Sequence, residues 1–330
     1  MANLVKKIGI DLGTANTVVY VQGQGIVLQE PTVVAVSMVD NRVVAVGSEA
    51  KDMLGRTPES ITASRPMRDG VIADYVVTEA MLKYFIQKVS GKHWWFRPEV
   101  MICVPAGCTQ VEKRAVEAAT LSAGAKAVHI IQEPFAAALG AGIAVSEASG
   151  NMIVDMGGGS AEAAVISLGG IVVSKSIRVS GNSLDDAIAL YLKKKHGLII
   201  GEQTAEQLKI NFGRATTTPN SDPEKPVAVK GRDSIQGLPK SVEIKPEEIE
   251  EAMRPKLNLI VGMVKSVLEE VPPELSSDII DKGIVLTGGT ALLKNFDLLL
   301  TQETGVPCHV AEEPLLCVAK GTGIALENRH

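Results

Sequence analysis

The sequence predicts an α/β chain built as a duplicated domain, and three observations predict it. An apolar strand runs into an Asp-x-Gly turn at Ile8-Gly9-Ile10-Asp11-Leu12-Gly13-Thr14, and again at Met152-Ile153-Val154-Asp155-Met156-Gly157-Gly158-Gly159-Ser160. Each turn is followed by an alternating strand, a glycine turn and a second strand. These are Val18 to Val21, Gly23-Gln24-Gly25 and Ile26 to Leu28 in one copy, and Ala163 to Ile166, Gly169-Gly170 and Ile171 to Val173 in the other. Strand, polar glycine turn, strand is a hairpin pattern. The third observation is a buried strand, Lys282-Gly283-Ile284-Val285-Leu286, entering the turn Thr287-Gly288-Gly289-Thr290, with Ala291-Leu292-Leu293 read as a helix start.

The chemistry of these turns follows from their residues. Glycine lets the backbone approach a phosphate closely, and consecutive N–H groups in a tight turn form an anion-binding nest. Gly13 with Thr14, Ala15 and Asn16, and Gly157, Gly158 and Gly159 with Ser160, supply such turns with hydroxyl and amide donors. One Asp-x-Gly is an ordinary turn. Two copies with matching hairpins suggest a phosphate ligand clamped between the halves. Asp11 and Asp155 repel phosphate, so they are expected to hold Mg²⁺ through its waters. At the third turn Gly288, Gly289, Thr290 and Ala291 would lie against a planar ring, with Leu292 as apolar cover. Taken alone, that turn is a plain strand-to-helix connection.

The remaining segments read in order. Residues 32–74 give short strands and loops punctuated by Pro58, Pro66 and Gly70. His129 to Gln132 is a strand end, Glu133-Pro134 a charged turn, and Phe135 to Gly140 an alanine-rich helix whose small residues allow close packing. Leu184 to Lys195 reads as a helix, and Thr216 to Pro223 as a polar loop before strands such as Lys225 to Lys230. Glu206 and Lys209, flanking Gln207 and Leu208, share one helix face, a spacing usually filled by a solvated ion pair. Pro246-Glu247-Glu248 opens a helix with proline early and acids in its first turn, and Pro255 is expected to bend it. Cys317 to Leu326 should pack back on the first half.

Composition narrows the classes. The 330 residues carry a net charge of −5, which argues against broad nucleic-acid binding. Hydrophobic content is 45%, yet no apolar run approaches the ~20 residues that span a bilayer. The first strand arrives within seven residues, leaving no expected signal peptide. Cys103, Cys108, Cys308 and Cys317 form no C-x-x-C pair and read as reduced thiols of a cytosolic protein. Neither a GxxxxGK[ST] loop nor a GxGxxG fingerprint occurs.

Asp11-Leu12-Gly13-Thr14, Glu133-Pro134, Asp155-Met156-Gly157-Gly158-Gly159 and Thr287-Gly288-Gly289 resemble the phosphate, connecting and adenosine motifs of the actin, sugar-kinase and heat-shock-chaperone ATPase superfamily. Within it, the chain is similar to the MreB family of bacterial actins over essentially its whole length. Asp11 to Thr17, Gly23 to Leu28, Ile166 to Val172, Ser174 to Val179, Pro272-Pro273-Glu274-Leu275 and Gly283 to Gly289 carry that match. It departs at Ser160-Ala161, where the family usually has two threonines, at Thr290, where a third glycine is usual, and at Gln132, where glutamate is common.

The resemblance implies an actin-like fold of two duplicated lobes around a nucleotide cleft, each lobe a mixed sheet with flanking helices plus a small subdomain. Lobe I is expected at 1–141 and 312–330, with its subdomain about 32–74. Lobe II is expected at 142–311, with its subdomain about 180–254. It also implies ATP with Mg²⁺ as ligand and slow hydrolysis, Glu133 orienting the attacking water, Ser160 assisting, and Glu206 and Lys209 holding ribose and adenine. The implied role is a filament of this chain, peripheral at the inner membrane face, that works with envelope morphogenesis proteins to organise cell-wall synthesis and keep rod shape. The alternative is a non-polymerising or divergent paralogue acting as a switch or scaffold. A chaperone should carry a further substrate-binding domain, and a sugar kinase a substrate constellation that is not seen here.

One segment points to membrane. Lys92-His93-Trp94-Trp95-Phe96-Arg97 holds both tryptophans of a chain that is 3% aromatic, between basic residues. Tryptophan favours the headgroup boundary and basic residues favour anionic lipid. The alternative is that the rings pack internally or at a subunit contact. MreB proteins carry a hydrophobic loop at the corresponding place, and many add an N-terminal amphipathic helix, for which Met1 to Lys7 is too short.

Overall fold

The computed structural model describes residues 6–91, 97–217 and 225–329. In the first half the chain runs β1 (Lys7–Leu12), β2 (Asn16–Val21), β3 (Gly25–Pro31), β4 (Val34–Ser37), β5 (Val43–Val46), α1 (Ser48–Met53), β6 (Ile61–Ser64), β7 (Met67–Arg68) and β8 (Val71–Ile72). It continues through α2 (Tyr75–Ser90), β9 (Glu99–Val104), α3 (Gln110–Ser122), β10 (Ala127–Gln132) and α4 (Glu133–Gly140). The second half holds β11 (Asn151–Met156), β12 (Ala161–Ser167), β13 (Gly170–Ile177), α5 (Gly181–His196), β14 (Leu198–Ile199), α6 (Glu202–Phe212), β15 (Val227–Asp233) and β16 (Pro239–Ile244). It closes with α7 (Pro246–Leu268), α8 (Pro273–Lys282), β17 (Ile284–Thr287), α9 (Phe296–Thr304), β18 (Cys308–Val310) and α10 (Cys317–Glu327).

The duplication is explicit in the sheets. One five-stranded sheet has the order β3-β2-β1-β9-β10 and the other β13-β12-β11-β17-β18. In both, the first three strands pair antiparallel and the last two join in parallel. Asp11 pairs with Val18 and Asp155 with Glu162, so both aspartates come to the same end of matching strands. Two three-stranded sheets, β5-β4-β6 and β14-β15-β16, lie outside this repeat.

Apolar alternation decides the packing. In the first half Ile8, Ile10, Ile102, Met81, Leu82 and Phe85 share one buried cluster. In the second, Met152, Val154, Leu184, Ile188, Leu286 and Phe296 share another. Between the sheets lies a third cluster of Ala136, Ala137, Ala138, Ile153, Ala164, Ile166 and Val318. Its small residues let α4 and α10 approach closely over the first sheet, where α10 also packs on β1. Local signals set the helix starts: the Asp74 side chain accepts from the Val77 amide at 3.0 Å, and Thr109 with Glu112 forms a capping box ahead of α3, each worth about 1 kcal/mol.

One expectation changes. The helix expected at Ala291 starts instead at Phe296, because a 3-10 turn over Gly289–Leu292 intervenes. The helix α7 runs from Pro246 to Leu268 with Pro255 inside it. The four cysteines are free thiols, with Cys103 and Cys317 buried. The loop with Trp94, Trp95 and Phe96, and most of the polar loop after Thr217, fall outside the described residues.

Candidate functional site

The two Asp-glycine turns meet face to face. A Cβ on Gly158 would come within 2.7 Å of the Ala15 Cβ, so only glycine permits the approach. The second turn is pinned from outside: the Ser180 Oγ donates to the Gly157 carbonyl at 2.7 Å, the Thr290 Oγ1 to the same oxygen at 2.9 Å, and the Asn182 amide to the Gly158 carbonyl at 2.8 Å. Across a trans peptide, C=O and the following N–H point in opposite directions. The N–H groups of Gly158 and Gly159 therefore point away from these partners. In the first half, Thr32 Oγ1 donates to the Gly13 carbonyl at 2.7 Å. The Gly70 amide of the β7–β8 turn donates to Thr14 Oγ1 at 2.9 Å.

Between the turns lies a cavity of about 510 Å³, within the range of sites that bury a small organic ligand. Asp11, Gly13, Thr14, Ala15, Asn16, Glu133, Asp155, Gly157, Gly158, Gly159, Ser160, Glu206, Lys209, Gly288, Gly289, Thr290 and Leu292 line it. Three expected residues do not. Leu208 belongs to the second core, Gln207 is exposed and accepts from Asn211 at 3.3 Å, and Ala291 is buried in the core below the 3-10 turn. Helix periodicity explains the first pair: Glu206 and Lys209 face the cavity, which turns 207 and 208 elsewhere. Nor do Glu206 and Lys209 pair with each other. Glu206 bonds Lys51 at 2.8 Å, and Lys209 donates to the Gly181 carbonyl at 2.9 Å and also pairs with Asp185.

Electrostatically the cavity is crowded with carboxylates. Burial, then the neighbouring Asp155, pushes Asp11 up to about 7, although a hydrogen bond from the Cys103 thiol opposes this. Burial raises Asp155 to about 6, opposed by the 2.9 Å bond from Thr287 Oγ1. Burial and the charges of Glu162, Asp11 and Asp155 push Glu133 well above the usual carboxylate range. Protons held here by the folded chain are lost on unfolding, so the stability they lend is complete below about pH 4 and is lost as pH rises through about 6 to 7. Asp11→Asn removes the Asp11 part of that loss. The variant's thermal midpoint should rise relative to wild type between pH 5 and pH 7.5, and a difference that stays flat across this range rejects the assignment.

The family profile described as MreB/Mbl protein matches residues 5–330. The chain belongs to the MreB/Mbl family. It is 50% identical to the cell shape-determining protein Mbl of Bacillus cereus, over 98% of this chain and 96% of that protein. It is 51% identical to the cell shape-determining protein MreB of Escherichia coli K12, over 97% and 93%. Among solved structures it is similar to MreB5 of Spiroplasma citri bound to AMPPNP, with a TM-score of 0.91, 38% identity and coverage of 97% and 95%. A MamK double helical filament, at 18% identity and TM-score 0.80, shares the fold. The expected actin-like α/β fold is thus the fold of this MreB/Mbl chain.

In the MreB/Mbl chain some residues at the site escape sequence reading. Glu162 is fully buried, and both its oxygens accept from the Ala106 amide at 3.0 Å, which ties β12 to the β9–α3 turn of the other half. Burial raises it to about 7. The available signal is a single carboxylate inside the apolar run Ala161 to Ile166. Ser180 and Asn182 act on a turn distant in sequence, and nothing local marks them; Thr287 lies in the third glycine turn, but its bond to Asp155 is not legible there.

Proposed function

We propose that this chain binds ATP and hydrolyses it slowly, and that it forms membrane-associated filaments which organise cell-wall synthesis and maintain rod shape. The observation that carries this reading is the pair of duplicated Asp-glycine turns closing on one nucleotide-sized cavity. It is supported by MreB5 relatives bound to AMPPNP and ADP and by relatives named for cell-shape determination. We assign lobe I to 1–141 with 312–330 and lobe II to 142–311, with small subdomains near 32–74 and 180–254.

Asp11 and Asp155 suit Mg²⁺: one half-buried and one buried, they are carboxylates on the cavity wall whose ionisation is disfavoured without a cation, and oxygen donors match a hard cation. Bound there, Mg²⁺ would offset phosphate charge. The glycine turns with Thr14 and Ser160 hold the phosphates, while Glu206, Lys209 and the Gly288-Gly289 turn receive the nucleoside. Glu133 orients water with Ser160 beside it; catalysis of this kind is mainly positioning and charge stabilisation.

Non-closing head-to-tail contacts make open filaments, and many weak membrane loops along one filament add through avidity. Among the described residues no helix is long and apolar enough to cross a membrane, so Trp94, Trp95 and Phe96 would carry the attachment to the cytoplasmic face. Electron microscopy of purified protein with Mg-ATP and anionic vesicles tests both parts. Wild type should give filaments on lipid, and Trp94→Ala with Trp95→Ala should give filaments off lipid. Monomers across a wide concentration range leave the divergent switch or scaffold; undiminished lipid decoration by the double variant rejects the loop.

A further inference from the structure

Apart from the phosphate turns, the two halves touch at the rim of the cavity. Lys51 Nζ on α1 lies 2.8 Å from Glu206 on α6. Arg65 Nε, directly after β6, lies 2.6 Å from Glu202 at the start of α6. The Gln203 side-chain amide donates to the Lys51 carbonyl at 2.5 Å. Residues 202, 203 and 206 are neighbours on one helical surface, so the start of α6 grips the small sheet of the opposite half at three points. Further along the same helix, Lys209 and Ile210 line the cavity, as Glu206 itself does.

This arrangement gives Glu206 two neighbours, the cavity and Lys51. A carboxylate at the rim would repel an entering triphosphate, and Lys51 offsets that charge. The Lys51–Glu206 pair is partly shielded, its side chains being 30% and 23% exposed, while in the Arg65–Glu202 pair Arg65 is 15% and Glu202 47% exposed, so the first pair is the stronger of the two. Glu162 and the Ala106 amide join the two halves at a second, buried contact apart from the rim.

We infer that Lys51, Arg65 and Gln203 form a clasp that holds the cleft shut over bound nucleotide and positions Glu206 against it, so that nucleotide release waits on the clasp opening. This rests on the reading of the cavity as a nucleotide site. Lys51 is a positioning residue that acts through Glu206.

Stopped-flow release of a fluorescent ATP analogue from the full chain with Mg²⁺ measures the clasp. Each pair shifts an equilibrium by up to about fivefold, so Lys51→Ala with Arg65→Ala should release the analogue roughly tenfold faster, with the unfolding midpoint lowered by only a few degrees. Lys51→Arg should restore slow release. Wild-type release should quicken with added salt, because the ion pairs are screened, and that salt dependence should be weaker in the double variant. Equal release rates for wild type and the double variant overturn the clasp. If wild type binds no analogue, the nucleotide reading itself fails. A zero-length carbodiimide cross-link then decides the clasp without nucleotide: a Lys51–Glu206 linked peptide is expected, and its absence from folded protein overturns it.

Discussion

Glu133→Ala should keep nucleotide binding while phosphate release falls on the order of 10²-fold or more, the scale of lost acid–base assistance. Glu133 is the first residue of α4 and Pro134 the second, in the first turn, where the N–H that proline lacks would have no partner within the helix. Its carboxyl is buried on the cavity wall among Glu162, Asp11 and Asp155. Burial, and then those charges, favour its protonated form, which cannot accept a proton from water. On the proposed assignment, a divalent cation held near Asp11 and Asp155 would favour the ionised form of Glu133 by offsetting the neighbouring charge. That coupling predicts little turnover without Mg²⁺. Asp155→Ala should weaken Mg²⁺-nucleotide binding as well as turnover, separating it from Glu133→Ala. Phosphate release by the Glu133 variant at the wild-type rate would remove Glu133 from the mechanism.

Much of this site is legible in the sequence because its chemistry is local. A strand that ends in Asp-x-Gly writes the carboxylate, the glycine and the hydroxyl within a few residues. Repeating it 144 residues later, at Asp155 against Asp11, exposes the duplicated fold. Long-range pairing is what the sequence hides. Glu206 and Lys209 read as partners by helical spacing, but Lys51 and Asp185, from other elements, offer shorter contacts. Gln207 and Leu208 lie between two cavity residues and still point elsewhere, since consecutive helical positions are about 100° apart. Glu162 looks like a misfit on an apolar strand until the register of β11 with β12 places it beside Asp155. The helix start expected at Ala291 falls at Phe296 because the short 3-10 turn ends before a regular helix begins.

Gly321→Val should cost the fold about 3 kcal/mol or more, at the upper end of overpacking penalties. A Cβ at Gly321 would fall on the Ala136 carbonyl, and one at Gly140 on the Cys317 carbonyl, so α4 and α10 meet backbone to backbone. Neither helix can yield cheaply, because Ala136, Ala137 and Ala138 on one, and Ala319 and Thr322 on the other, are wholly buried. Glycine inside a helix is ordinarily a cost of about 1 kcal/mol relative to alanine. The control is Gly262 on α7, which is exposed and has nothing within 4 Å of the place a methyl group would take. Gly262→Ala should stabilise by up to about 1 kcal/mol, and Gly321→Ala should destabilise, although both make the same chemical change in a helix. Urea midpoints decide it, and equal shifts for the two alanine variants would reject the contact. Since α4 begins at Glu133, pushing α10 off it also moves the carboxyl at the cavity. If Glu133 serves the proposed hydrolysis, folded Gly321→Ala should lose turnover while Gly262→Ala keeps it.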